Sequence, residues 1–501
     1  MGGGGGFVDI DGDGWLDVYF VSYSLEPQPG TGKVVTDALY RNNRDGTFTD
    51  VTAKAGISGQ RRGMGLAVAD YDGDGRPDLF VSAYDTSVLY HNEGGGRFRE
   101  VAAQAGVVGK LWGCSATFLD YDRDGRPDLF VSNYLEFDAE HPERYPCHMY
   151  GEYPFCSISK FAGQPSNLFR NRGDGTFEDA SAKSGVAAAI GKGMAVVAAD
   201  LDDDGWVDVF QTNDSAPNFL FRNTGDGRFR EVALDAEVAF DPSGRVTGAM
   251  GSDAEDVDGD GRLDLIVTNF NHYGTFLHVN SAGMRFSDRG SALGLSMPTF
   301  NTSVFGGRFL DADNDGFVDL FLASGHPFAP VAEVWPGVKF ADAPFLFRNE
   351  GGRFTNVAPE SEALRKPYAG RGVATGDFDN DGDPDILMLT MGEPPRLFRN
   401  DTPRANHWVG LQLVGTRSGR DAIGARVALT AGGRERVRAK VGGAGYLTAS
   451  DPRLLFGLGP LTRVDALEVR WPSGAVERFP APAVDRYTTL REGSSAPAKA
   501  R

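Results

Sequence analysis

The sequence predicts an all-β protein: a seven-bladed β-propeller over residues 1–402, a small C-terminal β-sandwich or barrel over 403–490 and a disordered tail over 491–501. Three observations predict it. An aspartate-rich nonapeptide recurs seven times, strand-like segments surround each copy, and the C-terminal part alternates strand-like runs with glycine-rich turns.

The nonapeptide reads Asp-x-Asp-x-Asp-Gly-x-x-Asp, and its copies begin at Asp9, Asp70, Asp120, Asp200, Asp256, Asp311 and Asp377. Short runs rich in apolar or β-branched residues flank each copy, as at 65–70 and 78–82. A third run ends at Asn42, Asn92, Asn171, Asn223, Asn280, Asn349 or Asn400. A glycine-rich turn, a fourth run such as 47–51 and an Ala-Gly pair such as Ala55-Gly56 complete the unit. Four short antiparallel strands in about 50 to 60 residues, repeated radially, are a propeller blade. A linear solenoid would need the nonapeptides in tandem, whereas three further strands separate them here. The acidic loop therefore falls between the first two strands of each blade.

Three aspartates at alternate positions of a tight turn project to one side, and the sixth-position glycine lets the backbone aim a carbonyl at the same centre. The expected ligands of the first loop are Asp9, Asp11, Asp13 and Asp17 with the carbonyl of Trp15; of the second, Asp70, Asp72, Asp74 and Asp78 with Arg76. The third offers Asp120, Asp122, Asp124 and Asp128 with Arg126, and the fourth Asp200, Asp202, Asp204 and Asp208 with Trp206. The fifth offers Asp256, Asp258, Asp260 and Asp264 with Arg262; the sixth, Asp311, Asp313, Asp315 and Asp319 with Phe317. The seventh has Asp377, Asp379, Asp381 and Asp385 with the carbonyl of Asp383.

Five or six oxygens, completed by water, suit Ca²⁺, which takes about six to eight ligands, better than the strictly octahedral Mg²⁺. An EF-hand is excluded by context: position 12 is apolar (Phe20, Val81, Val131) where that motif needs Glu, and strands replace its helices. All 28 acidic positions are aspartate, which an ordinary solvated hairpin does not require. About seven structural Ca²⁺ would move the formal charge from −19 to −5. Without them, the crowded carboxylates repel.

An acidic balance of 69 Asp and Glu to 50 Lys and Arg, with no basic run, excludes a nucleic-acid partner. No apolar run reaches the roughly 20 residues of a membrane-spanning helix. Cys147 and Cys156 lie close enough to pair or stand as two thiols in a loop, and Cys114 belongs to a strand-like core segment. No nucleophile elbow, zinc-protease helix or phosphate loop occurs, and the seven histidines are dispersed.

The motif Asp70-Tyr-Asp-Gly-Asp-Gly-Arg-Pro-Asp78, with the Gly-Thr-Phe and Ala-Gly elements, resembles the FG-GAP (VCBS-type) repeats of the integrin α-chain propeller over residues 2–400. Asn406-His-Trp-Val-Gly-Leu, Asp421-Ala-Ile-Gly-Ala-Arg-Val, Gly442-Gly-Ala-Gly-Tyr, Phe456-Gly-Leu-Gly and Val469-Arg-Trp-Pro-Ser-Gly474 resemble the ASPIC/UnbV domain. Together they are similar to the cartilage acidic protein family and its bacterial homologues. Abundant Ala and Gly and an Arg to Lys ratio of about four to one also point to a GC-rich bacterial source.

The resemblance implies a secreted or surface protein with no catalytic activity. A signal peptide is not visible at the N-terminus, the first blade starts almost at its acidic loop, and the seventh lacks a fourth strand. The expectation is that Met1 is an internal or misassigned start and that a missing upstream segment supplies the signal and a ring-closing strand. Extracellular, periplasmic or cell-surface location follows.

Long insertions at 136–164 and 325–343 fall on the face opposite the acidic loops. The first holds Tyr145, His148, Tyr150, Tyr153 and Phe155, which either contact a sugar or peptide or pack the insertion onto the ring. In the C-terminal part, Arg420-Asp421 and the loop 442–446 either bind something or serve turn geometry. The functional expectation is a monomeric, non-enzymatic, calcium-stabilised recognition or adhesion scaffold with a protein or glycan ligand. The alternative is a carbohydrate-active or other hydrolase or lyase with its site in the propeller channel.

Overall fold

The computed structural model describes residues 3–23, 35–57, 61–145, 147–150, 153–403 and 405–495. Up to residue 400 the described residues form seven antiparallel meanders, one for each acidic loop. Sheet one comprises Gly5–Val8, Asp17–Phe20, Ala38–Asn42 and Phe48–Asp50; sheet two Gly63–Ala69, Asp78–Ala83, Val88–Gly94 and Arg97–Glu100. Sheet three comprises Gly113–Leu119, Asp128–Asn133, Asn167–Asn171 and Phe177–Asp179, and sheet four Gly193–Ala199, Asp208–Ala216, Phe219–Asn223 and Phe229–Glu231. Sheets five and six run from Thr247–Glu255 to Arg285–Asp288 and from Val304–Leu310 to Phe354–Asn356. Sheet seven has three strands among the described residues, Gly370–Gly376, Asp385–Thr390 and Arg396–Phe398. The end of the second strand of sheet four also pairs with the start of sheet five, Asp214 opposite Gly248.

The first strands of successive sheets contact one another in turn, and Gly370–Gly376 of sheet seven returns to Gly5–Val8 of sheet one. The core follows that ring. An apolar cluster fills each junction between neighbouring sheets, including Phe7, Leu16 and Val18 of sheet one against Ala374, Phe378 and Leu387 of sheet seven. Each buried Val, Leu or Phe of these clusters contributes about 1.5–3 kcal/mol. Sheet one has its own inner strand, Gly5–Val8, ahead of its acidic loop, while sheet seven shows no fourth strand among the described residues, the place where a ring-closing strand was expected.

A repeated hydrogen bond ties the junctions together. The side-chain amide of Asn42 donates to the Phe378 carbonyl of sheet seven, 2.9 Å, and that of Asn92 to Ile10, 3.0 Å. Asn171, Asn223, Asn280, Asn349 and Asn400 reach back in the same way to Tyr71, Tyr121, Leu201, Val257 and Ala312, at 2.7, 2.8, 2.9, 3.4 and 2.7 Å. The asparagine at or near the end of every third strand therefore clamps its sheet to the preceding one, seven times round the ring.

The C-terminal part is a two-layer β-sandwich. Leu454–Gly459, His407–Val414 and Tyr487–Arg491 form one sheet; Arg434–Ala439, Arg426–Ala431, Ala466–Arg470 and Val476–Phe479 form the other. Val409, Leu411, Val427, Phe456, Val469 and Trp471 are buried between them. The tail expected from 491 is placed as far as 495, where Gly493 donates to Glu477; the remainder lies outside the described residues.

Candidate metal centres

Every second strand begins at the ninth-position aspartate, so each acidic loop is one hairpin connection. The sixth-position glycines all lie at left-handed φ, from 83° at Gly14 to 94° at Gly382, as a turn of that sharpness demands. Position four is left-handed in every loop too, although Arg123, Asp203, Asn314 and Asn380 occupy it as well as glycine. Variable identity at that position hid the pattern.

The carboxylates divide by depth. The ninth aspartate is at most 2 % exposed in all seven loops and accepts two backbone N–H groups, one on each oxygen. In loop two, Tyr71 donates to Asp78 Oδ2 at 3.2 Å and Asn92 to Oδ1 at 2.8 Å. In loop four, Leu201 and Asn223 bind Asp208 at 3.0 and 2.8 Å. This residue anchors the loop to the third strand and has one lone pair left on each oxygen for a cation. The first aspartate accepts the N–H of the sixth-position glycine on Oδ2, as in Gly205 to Asp200 at 2.8 Å and Gly382 to Asp377 at 2.8 Å. The fifth accepts the N–H of position seven, as in Trp206 to Asp204 at 2.9 Å. The third and fifth aspartates are the more exposed pair.

Carboxylate oxygens of Asp9, Asp11 and Asp13, of Asp70, Asp72 and Asp74, of Asp120, Asp122 and Asp128, and of Asp200, Asp202 and Asp208 lie within 4.8 Å of one another. Two ligands held at about 2.4 Å by one Ca²⁺ are no further apart than that. One oxygen of Asp122, of Asp200 and of Asp311 is buried with no hydrogen-bond partner, which a cation would supply.

Burial works against these charges. It pushes Asp17 and Asp319 up to about 7, Asp78, Asp264 and Asp385 up to about 8, and Asp128 and Asp208 well above the carboxylate range. Among the first aspartates it raises Asp70, Asp256 and Asp377 to about 6, Asp120 and Asp200 to about 7 and Asp311 to about 8. A divalent ion at the centre would reverse that cost.

Arginines partly do so already. The third-strand residue before the clamp asparagine reaches the third and fifth aspartates: Arg170 to Asp122 and Asp124 at 2.6 and 2.7 Å, Arg222 to Asp202 and Asp204 at 2.6 and 3.0 Å, Arg41 to Asp11 at 3.1 Å. His91 holds this place in sheet two, 3.3 Å from both Asp72 and Asp78. At position seven, where a carbonyl ligand was expected, the side chains of Arg76, Arg126 and Arg262 also fold onto Asp74, Asp124 and Asp260.

The β-sandwich stands on this face. Residues 403–501 hold sixteen Lys and Arg against eight Asp and Glu, a formal +8, which leaves −27 on the preceding 402. Arg420 meets Asp70, Arg470 meets Asp200, Arg438 pairs with Glu255 at 2.7 Å and Tyr487 donates to Asp377 at 2.7 Å. A cleft of about 800 Å³ remains between sandwich and ring, lined in part by Asp9, Trp15, Asp70, Asp421, Lys440 and Tyr487.

From the sandwich the loop 441–450 descends into the channel. Gly442 and Gly443 pair with Ala198 and Val197 of sheet four, Gly445 with Ser252 of sheet five, and Thr448 and Ala449 run parallel to Gly5 and Gly6 of sheet one. Leu447 accepts from Gly5 and Leu66, and Thr448 donates to Val373. Tyr446 at the tip is fully buried among Met64, Cys114, Met194, Met250 and Phe305, the inner-strand residues of five sheets. A Cβ at Gly443 would lie 2.4 Å from the Val196 carbonyl and one at Gly6 2.0 Å from Ala449, so glycines on both partners permit this approach. The glycine-rich loop binds the chain's own ring, and Cys114 is core as expected.

On the opposite face, Cys147 and Cys156 are disulfide-bonded across a hairpin, and residue 114 is the free cysteine. Tyr145 stacks on Phe161 and lies tilted against Phe137, which packs towards Trp112 and Tyr84. The side chains of His148, Tyr150, Tyr153 and Phe155 lie outside the described residues.

Comparison with family models identifies both parts of the chain. FG-GAP-like repeats match residues 9–81, 71–131, 159–211, 200–267, 256–322 and 311–388, and the ASPIC and UnbV family matches 415–497. Cartilage acidic protein 1 of Homo sapiens is 27% identical over 480 residues, covering 93% of this chain and 59% of that protein. Its Xenopus tropicalis counterpart is 31% identical over 310 residues, 58% of this chain and 44% of its own. The chain thus spans about three fifths of the human relative's length. Among solved structures, PorZ, a surface component of the Porphyromonas gingivalis type-IX secretion system, is 10% identical with a TM-score of 0.45, covering 97% of this chain and 59% of its own. An Agrocybe aegerita protein that recognises terminal N-acetylglucosamine is 15% identical with a TM-score of 0.42, covering 73% and 88%.

Proposed function

The chain belongs to the FG-GAP-like repeat family and carries an ASPIC and UnbV domain, and from that premise we propose a non-enzymatic recognition scaffold, stabilised by about seven Ca²⁺ and working outside the cytoplasm. One observation carries the non-enzymatic part: the channel, the site a propeller enzyme would use, is closed by the chain's own Tyr446, buried among inner-strand residues of five sheets, which leaves only the cleft beneath the sandwich open on that side. The acidic-loop face is likewise covered by the sandwich. A protein or glycan ligand is left the opposite face, where the insertions around Tyr145 and 325–343 lie. The Cys147–Cys156 bond suits an oxidising compartment, and no helix among the described residues is long and apolar enough to cross a membrane.

For calcium the support is the fit of the loops: converging carboxylates, oxygens left without partners and carboxyl groups raised by burial. Bound Ca²⁺ supplies the countercharge that the hairpins lack. Thermal unfolding with and without EGTA tests it; the midpoint falls on chelation, and an unchanged midpoint rejects the cation. Glycan and matrix-protein arrays test recognition, with binding expected for the intact chain and lost on deletion of 136–164.

A further inference from the structure

The sandwich does more than cover the acidic loops, because it grips the first aspartate of three of them. In loop two, Arg420 approaches Asp70 Oδ2 at 3.4 Å while Asp421 accepts the Asp70 N–H at 2.8 Å. In loop seven, Tyr487 donates to Asp377 Oδ2 at 2.7 Å, Asp451 accepts the Asp377 N–H at 3.3 Å and Arg453 donates to its carbonyl at 2.7 Å. In loop four, Arg470 sits 3.5 Å from Asp200 Oδ2 and donates to the Asp203 carbonyl at 3.0 Å.

The choice of oxygen is the same each time. Oδ2 already accepts the sixth-position glycine, so the sandwich adds to the outer oxygen and leaves Oδ1 to the loop's interior. In Asp200 that Oδ1 is buried and without a partner, on a side chain only 8 % exposed. A group that fixes one oxygen of a ligating carboxylate orients the other; loss of such outer partners lowers metal affinity about 10–100-fold. Loops one and three receive no such side chain at Asp9 or Asp120 among the described contacts.

The gripping residues are continuous with the plug. Asp451 and Arg453 directly follow the channel loop, and the Ser450 hydroxyl accepts the Thr375 N–H two residues before Asp377. Whatever orders Asp377 therefore also orders the exit of that loop.

We propose that Arg420, Arg470 and Tyr487 are positioning residues for the cations of loops two, four and seven, so that calcium binding and seating of the 441–450 loop in the channel are thermodynamically linked. This rests on the calcium reading above. By reciprocity, a cation that tightens the grip is itself held more tightly by it.

Calcium titration by calorimetry on the full chain, with hydrogen exchange of 441–450 in calcium and in EGTA, tests the link. In the Arg420→Gln/Arg470→Gln/Tyr487→Phe variant, three sites weaken at least tenfold and the others keep the wild-type affinity; in the wild type, EGTA speeds exchange of 441–450. The single Tyr487→Phe variant, which removes one hydroxyl, weakens one site and serves if the triple variant does not fold. Superimposable isotherms, or exchange of 441–450 indifferent to calcium in a wild type that binds it, overturn the link alone. A wild type that binds no calcium overturns the calcium reading and the link together.

Discussion

At the residue scale, the ninth-position aspartates set the pH behaviour. Without a cation, burial raises the carboxyls of Asp17, Asp78, Asp264, Asp319 and Asp385 from 3.8 to about 7 or 8, and those of Asp128 and Asp208 well above the usual range. A carboxyl raised on folding contributes stability that is complete below its open-chain value and is lost as pH rises through the folded value. The midpoint in EGTA therefore falls between pH 5 and pH 8, whereas with millimolar calcium it holds or rises, since deprotonation favours the ion. A scan of midpoints against pH in both buffers checks the crossing. The clamp asparagines make a second test. Asn223→Ala removes a buried donor shared between the Tyr121 and Val207 carbonyls and costs about 1–3 kcal/mol in denaturant unfolding; Asn349→Ala, whose bond to Val257 is 3.4 Å, costs less. All twenty-eight aspartates and all seven asparagines were legible as repeats in the sequence. The clamp role was not, because an asparagine ending a strand reads equally well as the first residue of a turn.

At the element scale, strands and acidic hairpins follow from local chemistry: alternating apolar runs, a left-handed glycine and a ninth aspartate that receives two backbone amides. Predicted segments such as 65–70 and 78–82 correspond to Gly63–Ala69 and Asp78–Ala83. The channel loop is a different case. Gly442, Gly443 and Gly445 look like turn glycines in isolation, and only the approach of Val196, Thr117 and Thr448 gives the reason for them. The same approach explains Gly4 and Gly6, which read as featureless at the N-terminus. Replacing Tyr446 by Ala empties the space among five inner strands and costs about 3–5 kcal/mol. Gly443→Val, which adds bulk against the Val196 carbonyl, unseats the loop; faster exchange of 441–450 is the expected readout for both.

At the scale of the whole molecule, charge governs the response to salt. A ring of −27 under a sandwich of +8 is held together by attraction between the parts and strained by repulsion within the loops. At a pH above the range to which burial raises these carboxyls, the 28 carboxylates crowded into seven hairpins make repulsion the larger effect when cations are absent. Raising NaCl from about 0.1 M to 1 M, which shortens the screening length from about 10 to 3 Å, therefore raises the midpoint in EGTA and changes it little in calcium. A midpoint that falls with salt in EGTA shows that docking of the sandwich dominates instead. The division into ring and sandwich was legible from where the repeats stop. Their docking was not, since it depends on which arginines of one body come to rest on which aspartates of the other.

The pairing of Gly5 and Gly6 with Thr448 and Ala449 has a consequence for biosynthesis. The strand Gly5–Val8 leaves the ribosome long before the segment that satisfies its inner edge. Until then the nascent chain carries an open pore lined with methionine and phenylalanine, and contacts so distant in sequence form slowly. Folding factors that shield apolar surface should matter more to this protein than to a propeller whose hub needs no late-arriving pin.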